Sequence, residues 1–218
     1  MDAVYLESLL YPIKQSKVDF TKGNRFADYK ALKKMPLIRR LGNLALSFFI
    51  KAASGYWNIF DPNNGFIAIN NEKLKNIDFN RIHNRFFFES SMLIELYHAG
   101  AVIQDIPMRA IYGNEVSNLS ITKTLLEFPP KLLKAFIRRI LLKYFLYDFN
   151  IASVYILSGV PLFLIGFIYG GINFVKYAWS HIPAPTGTVV IPTLLITLGF
   201  QLLLSAITFD MNNYPKKN

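Results

Sequence analysis

Residues 149–175 read FNIASVYILSGVPLFLIGFIYGGINFV, and residues 186–209 read TGTVVIPTLLITLGFQLLLSAITF. Neither stretch contains Asp, Glu, Lys or Arg. A helix needs about 20 consecutive apolar residues to cross a bilayer, and both runs exceed that. Gly159, Gly166, Gly170 and Gly171 thin one side of the first run, which would let a second helix approach closely. Pro192 lies near the start of the second run, where proline is tolerated. The pair predicts a two-helix transmembrane hairpin, with spans at 149–175 and 186–209. The alternative, two buried helices of a soluble core, fits poorly because the runs are longer than such helices usually are.

The rest of the chain is basic. Hydrophobic residues make up 52% and charged residues 17% of the 218, yet the net charge is +10. The charges concentrate before residue 149, so a basic head precedes an apolar tail. A basic head suits nucleic acid or an anionic membrane surface, and the tail decides for the membrane. The basic residues lead into a bilayer and not onto an aromatic platform, so nucleic-acid binding is not expected. There is no cysteine, which excludes disulfides and thiolate metal sites. Met1 and Asp2 open on a helix-like run and not on a signal peptide, so entry into the membrane is expected from the internal segments. Lys123, Lys131, Lys134, Arg138, Arg139 and Lys143 precede the first span, and Lys216 and Lys217 follow the second. The connecting loop offers only Lys176 and His181. The positive-inside rule then puts both termini in the cytoplasm, at the inner (plasma) membrane. Tyr177 and Trp179 sit where an outer aromatic belt is expected.

Residues 119–148 bridge head and tail. Pro129 and Pro130 predict a corner between a short helix and a longer one from Lys131. On the second helix Lys131, Lys134 and Arg138 share one side, while Leu133, Phe136, Ile137, Ile140 and Tyr144 fill the other. That division suits a helix in the headgroup plane; an amphipathic helix packed on a soluble core is the alternative.

Residues 1–118 show interleaved helix and strand patterns, an α/β head. Helices are expected over Asp2–Leu10, from about Pro36 to Gly55, and over Phe86–His98, the last amphipathic and stopped by Gly100. Strands are expected at Val18–Phe20, Trp57–Phe60, Phe66–Ile69 and Ala101–Met108. Polar turns are expected at Thr21–Arg25 and at Asp61–Gly65. So few strands suggest part of a sheet. Lys33, Lys34, Arg39 and Arg40, at the start of the second helix, would touch anionic lipid headgroups; a solvated face is the alternative. Glu89 suits a helix N-terminus. His83, His98 and His181 have no metal-ligand spacing, and no Gly-rich phosphate loop, Ser-His-Asp set or zinc pattern occurs.

An ordered set of motifs carries a resemblance. Asp19-Phe-Thr-Lys-Gly-Asn-Arg25-Phe, Ser54-Gly-Tyr-Trp, Asp61-Pro-Asn-Asn-Gly65-Phe66, Phe87-Phe-Glu89, Asp105-Ile-Pro107 and Tyr112-Gly-Asn-Glu115-Val-Ser117 follow one another. So do Asp148-Phe-Asn150, Thr186-Gly-Thr188 and Gly199-Phe-Gln201-Leu-Leu-Leu. Together they resemble family-two glycosyltransferases of the dolichol- or polyprenyl-phosphate sugar transferase type. The resemblance implies a GT-A type catalytic domain, a nucleotide-sugar donor and a polyprenyl phosphate acceptor. It also implies an Asp-x-Asp motif holding Mg or Mn in the complete enzyme. No Asp-x-Asp occurs here, so the resemblance places residues 1–118 in the C-terminal part of that domain and assigns no metal ligand to this chain.

By the same resemblance Asp61 is the acceptor-side carboxylate, as base or as a steering group; an Asx-turn before Pro62 is the alternative. Lys22 and Arg25 would flank the donor phosphates, for which a guanidinium is suited; a solvated basic loop is the alternative. Arg109 and Ser117 resemble the mobile loop closing over donor and acceptor phosphates. The expected reaction is sugar transfer to a lipid phosphate at the cytoplasmic face. The competing expectation is a non-catalytic membrane scaffold or subunit of a glycan-assembly complex. Self-association into a homo-oligomer is left open.

Overall fold

The structure is a computed structural model that describes residues 4–27, 37–109 and 121–216. It divides into a head, residues 1–139 with 214–218, and a second unit, residues 140–213. Among the described residues, the head combines a three-stranded sheet with helices, and the second unit is dominated by two long apolar helices.

In the head, α1 (Tyr5–Lys14) leads into β1 (Phe20–Asn24). β1 is the middle strand, antiparallel to β2 (Ile67–Ile69) and parallel to β3 (Ile103–Pro107). The segment expected as the turn Thr21–Arg25 is largely this strand, and it is buried along its length. Its polar groups are satisfied, so it can be central. Thr21 Oγ1 donates to the Leu9 carbonyl at 2.8 Å, Lys22 Nζ donates to the Asn64 carbonyl, and Gly23 N–H donates to the Phe66 carbonyl at 2.9 Å. Buried polar groups are tolerated on that condition.

Helix α2 (Leu37–Ser54) ends at Gly55, whose φ of +82° is the left-handed stop expected there. After it comes the expected strand Trp57–Phe60, which does not form. Instead the segment runs along the free edge of β3 with mixed donors. Tyr56 Oη donates to the Ala101 carbonyl at 2.6 Å, Asn58 Nδ2 to the Ile103 carbonyl at 3.0 Å, and Phe60 N–H to the Asp105 carboxylate at 2.6 Å. Residues 56, 58 and 60 thus meet 101, 103 and 105. The alternation has the period of a strand, but side chains supply most of the bonds, and the edge is covered in the process.

The short α3 (Asn71–Lys75) is capped by Asn70. Helix α4 (Phe88–His98) is not amphipathic as expected: Ser90 to Leu96 are all buried. The core gathers Phe20, Ile50, Tyr56, Leu93, Leu96 and Ile103, with Phe128 and Leu132 from α5.

Helix α5 (Ile121–Leu141) runs through Pro129 and Pro130 without the expected corner. The prolines remove two N–H donors, yet the packing of Phe128, Leu132 and Phe136 on the core holds the helix together. Arg139 is buried and donates to the Ala52 carbonyl at 2.8 Å, beside the rings of Tyr97 and Phe136.

In the second unit the helix continues in wider turns over Leu142–Tyr147. Helix α6 (Ile151–Ser180) then starts in a capping box, Asn150 accepting from Ala152 N–H at 2.9 Å and donating its own N–H to Ser153 Oγ at 3.0 Å. Helix α7 (Thr186–Asn212) packs against α6. Both are long and apolar enough to cross a membrane, and most of each apolar window is not buried within the protein. They support a membrane protein, because such helices left in water would expose side chains such as Phe167, Ile172 and Leu194. Three of the four expected small residues face α7: Gly159 meets Gly199, Gly166 meets Leu195 and Ile196, and Gly170 meets Pro192. Gly171 has nothing near it. At one end Asp210 accepts from Tyr144 Oη at 2.6 Å and from Lys143 Nζ at 3.2 Å.

A Cβ at Gly199 would lie 2.5 Å from the Phe163 nitrogen and 2.9 Å from the Gly159 carbonyl oxygen. Gly199→Val is therefore expected to destabilise the helix pair by about 1–3 kcal/mol, read as a lower unfolding midpoint in detergent, while Gly171→Ala leaves the midpoint unchanged or raises it.

Candidate functional site

β1, β3 and the loop after α2 bring charged side chains of both signs to one place. Lys22 on β1 stands beside Asp105 on β3 in the parallel register. Asp61, fully buried, arrives on the loop that follows the β3-edge segment. Arg25, one residue past β1, clamps it: Nε donates to Oδ2 at 2.7 Å, Nη2 to Oδ1 at 3.0 Å, and the backbone N–H to Oδ2 at 3.2 Å. This is a bidentate pair with a third donor added, the strong geometry for guanidinium and carboxylate. The Arg25 side chain stays about one-third exposed.

The loop is held in shape by Asn64, whose Nδ2 donates to the Gly23 carbonyl at 2.8 Å and whose Oδ1 accepts from Phe66 N–H at 3.2 Å. Gly23 can bear no side chain here, because Asn64 and Met108 already occupy that space. Glu89, at the start of α4, lies against Gly65.

Burial disturbs two of these groups strongly. It pushes the Lys22 ammonium down from 10.5 to about 8, although Asp61, Glu89 and Asp105 all pull the other way. It pushes the Asp105 carboxyl up from 3.8 to about 6, against the stabilising N–H of Phe60; Asp61 adds to the rise, and Lys22 opposes it. Asp105 Oδ1 is buried without a hydrogen-bond partner. Perturbed acids and bases gathered in this way are a mark of functional sites. Among the described residues no group of three or more His, Cys, Asp or Glu could hold a metal ion. Arg25 engages both Asp61 oxygens, and Phe60 N–H engages one oxygen of Asp105.

The structure brings Lys22, Arg25 and Asp61 together as one cluster. Arg109 is exposed, with its backbone N–H donating to Tyr5 Oη at 3.1 Å. Ser117, Lys33 and Lys34 lie outside the described residues. Arg39 and Arg40 are on α2. On α5, Lys131 lies near the Phe87 ring and pairs loosely with Glu127, and Lys134 is exposed. Arg138 does not stand free toward a lipid surface as expected. It bridges to the buried Glu95 at 3.1 Å, because α5 packs on the head core on that side.

No protein-family model matches the chain. It is similar to an uncharacterized protein of Methanocaldococcus jannaschii, 29% identical over 107 residues that cover 49% of this chain and 44% of that protein. It is also similar to a UDP-N-acetylglucosamine–dolichyl-phosphate N-acetylglucosaminyltransferase of Methanococcus voltae, 28% identical over 138 residues that cover 63% of this chain and 52% of that protein. The chain thus spans about half the length of the curated relatives it matches. The second similarity supports a glycosyltransferase relationship.

Asp105, Asn64 and Met108 were not visible as site residues in the sequence. Asp105 sits in a short strand motif, and only the parallel pairing with Lys22 gives it a role. Glu89 is in the first turn of α4, as expected, but it also contributes to the field at Lys22.

A carboxyl whose folded pKa exceeds its unfolded value contributes stability that is full below the unfolded value and lost as pH rises through the folded one. For Asp105 that window runs from 3.8 to about 6. The stability of the wild type relative to Asp105→Asn is expected to fall across this window, by up to about 3 kcal/mol. Denaturant unfolding in detergent at pH 4, 5, 6 and 7 measures the difference.

Proposed function

We propose that this chain is the acceptor-side and membrane part of a glycosyltransferase that moves a sugar from a nucleotide donor to a polyprenyl or dolichyl phosphate at the cytoplasmic face. The observation that carries this reading is the Arg25–Asp61 clamp beside buried Lys22. It supplies two fixed cations where a lipid phosphate and a departing nucleotide diphosphate would both need charge stabilisation. Preorganised charge of this kind is commonly the largest catalytic contribution. The similarity to a dolichyl-phosphate sugar transferase and the two apolar helices agree with it.

In this reading the acceptor phosphate oxygen attacks the anomeric carbon, and the nucleotide diphosphate leaves. A phosphate oxyanion is already nucleophilic, so placement matters more than proton removal. Asp61, held by three donors from Arg25, fits a steering carboxylate better than a base. Arg25 orders Asp61 and presents the rest of its guanidinium to phosphate. Lys22 adds positive charge below it, tuned by Asp105. Arg109 and Ser117 belong to the segment that would close over the phosphates. The Mg or Mn expected of a complete enzyme would be held outside the described residues of this chain, with the donor nucleotide. A GT-A type fold, family-two membership, an inner-membrane location with both termini cytoplasmic, and self-association belong to the same proposal.

Membranes containing the protein, given labelled nucleotide sugar and polyprenyl phosphate, are expected to transfer label into the organic phase. Lys22→Met and Asp61→Asn should each cut that transfer at least about 100-fold. Transfer that is unchanged by both substitutions contradicts the assignment. If the wild type transfers nothing with any donor, the scaffold reading is favoured.

A further inference from the structure

The side of α7 that faces away from α6 is not the apolar surface that lipid calls for. Pro192 and Gly199 mark the side turned to α6, where they meet Gly170 and Gly159. Each residue advances a helix by about 100°, so Thr197, Gln201 and Thr208 fall within about 20° of the direction opposite Gly199, and Thr193 and Ser205 within about 60°. Thr193, Thr197, Gln201 and Thr208 are exposed, and Ser205 is half-buried. The outward residues of α6, such as Leu164, Ile168 and Ile172, are apolar. A polar stripe therefore runs down one helix of the hairpin only.

The hydroxyls on the stripe are already satisfied as donors. Thr193 Oγ1 donates to the Val189 carbonyl at 2.7 Å, Thr197 Oγ1 to the Thr193 carbonyl at 2.7 Å, Ser205 Oγ to the Gln201 carbonyl at 3.0 Å and Thr208 Oγ1 to the Leu204 carbonyl at 2.9 Å. Such local bonds let Ser and Thr sit in a helix surrounded by lipid. The Gln201 amide differs, because no hydrogen bond engages its side chain among the described residues. Helix α7 spans Thr186–Asn212. Any stretch of about 20 residues of it that crosses the hydrocarbon contains Gln201. An amide without a partner at that depth is costly, and a hydrogen bond to another helix removes the cost.

We infer that the Thr193–Thr208 stripe of α7 is an intramembrane interface with a second copy of this chain, centred on Gln201. The reason for a second copy is depth. Copies inserted with the same orientation are related by a two-fold axis along the membrane normal, and the same patch then meets itself. Gln201 of one copy lies level with Gln201 of the other. A primary amide both donates and accepts, so the pair is self-complementary, and the Thr197 and Ser205 oxygens offer further acceptors one turn away on either side. This gives the proposed self-association a surface. It rests on α6 and α7 spanning the membrane, and not on the sugar-transfer chemistry.

The chain has no cysteine, so one introduced thiol reports one position. Purified full-length protein carrying Thr197→Cys, or Ile168→Cys as an outward control on α6, is reconstituted in phosphatidylcholine vesicles at a protein-to-lipid ratio low enough to make random encounters rare. A short membrane-permeant bis-thiosulfonate then joins neighbouring thiols. Thr197→Cys is expected to give at least about fivefold more covalent dimer than Ile168→Cys. Adding Gln201→Leu is expected to bring Thr197→Cys down to the control level, and Gln201→Asn, which keeps the amide, to restore most of it. The unfolding midpoint of Gln201→Leu in detergent checks that the hairpin itself is intact. Equal cross-linking at positions 197 and 168, or cross-linking at 197 that Gln201→Leu leaves unchanged, overturns the inference. So does a protein that stays monomeric in vesicles; cross-linking of Thr197→Cys to another protein in native membranes would then assign the stripe to a different partner. No nucleotide sugar or lipid phosphate is present, so failure of the transferase reading and failure of this interface are separately visible.

Discussion

The bilayer is the constraint on which everything else rests. Helices α6 and α7 carry apolar side chains around most of their circumference, and the hairpin they form cannot hide them. The contact between them is backbone-close at Gly159 and Gly199, which suits a medium where packing and not water exclusion drives association.

Within the head, the cluster works by mutual neutralisation. Asp61 is sealed from water and Lys22 nearly so. Either charge alone would cost several kcal/mol. Arg25 offsets the first, while Asp61, Glu89 and Asp105 offset part of the second. Burial still wins at Lys22, whose pKa falls to about 8.

The sequence showed the two long apolar helices and the Gly55 stop of α2, since these depend on local composition; it singled out Lys22, Arg25 and Asp61 separately, for donor and acceptor sides, and the clamp that joins Arg25 to Asp61 is seen only in the structure. What it hid depends on tertiary partners. Thr21–Asn24 looks like a turn because its residues are polar; it is a buried strand because Leu9, Asn64 and Phe66 meet its polar groups. Trp57–Phe60 has strand composition but forms no strand, because Tyr56 and Asn58 reach the β3 edge through their side chains. Pro129 and Pro130 do not break α5, since the core grips it on both sides of them. Asp105 acquires its role from a pairing between strands far apart in the chain, which no local pattern reveals.

The central claim is that the cationic cluster receives a phosphate presented on a polyprenyl chain. Native mass spectrometry of the detergent-solubilised protein with polyprenyl phosphate, against uncharged polyprenol of the same length, tests it most directly. The account predicts saturable binding of the phosphate, no competition by the alcohol, and loss of binding in Arg25→Ala. Equal binding of the two lipids, or binding of the phosphate undiminished in that variant, would contradict it.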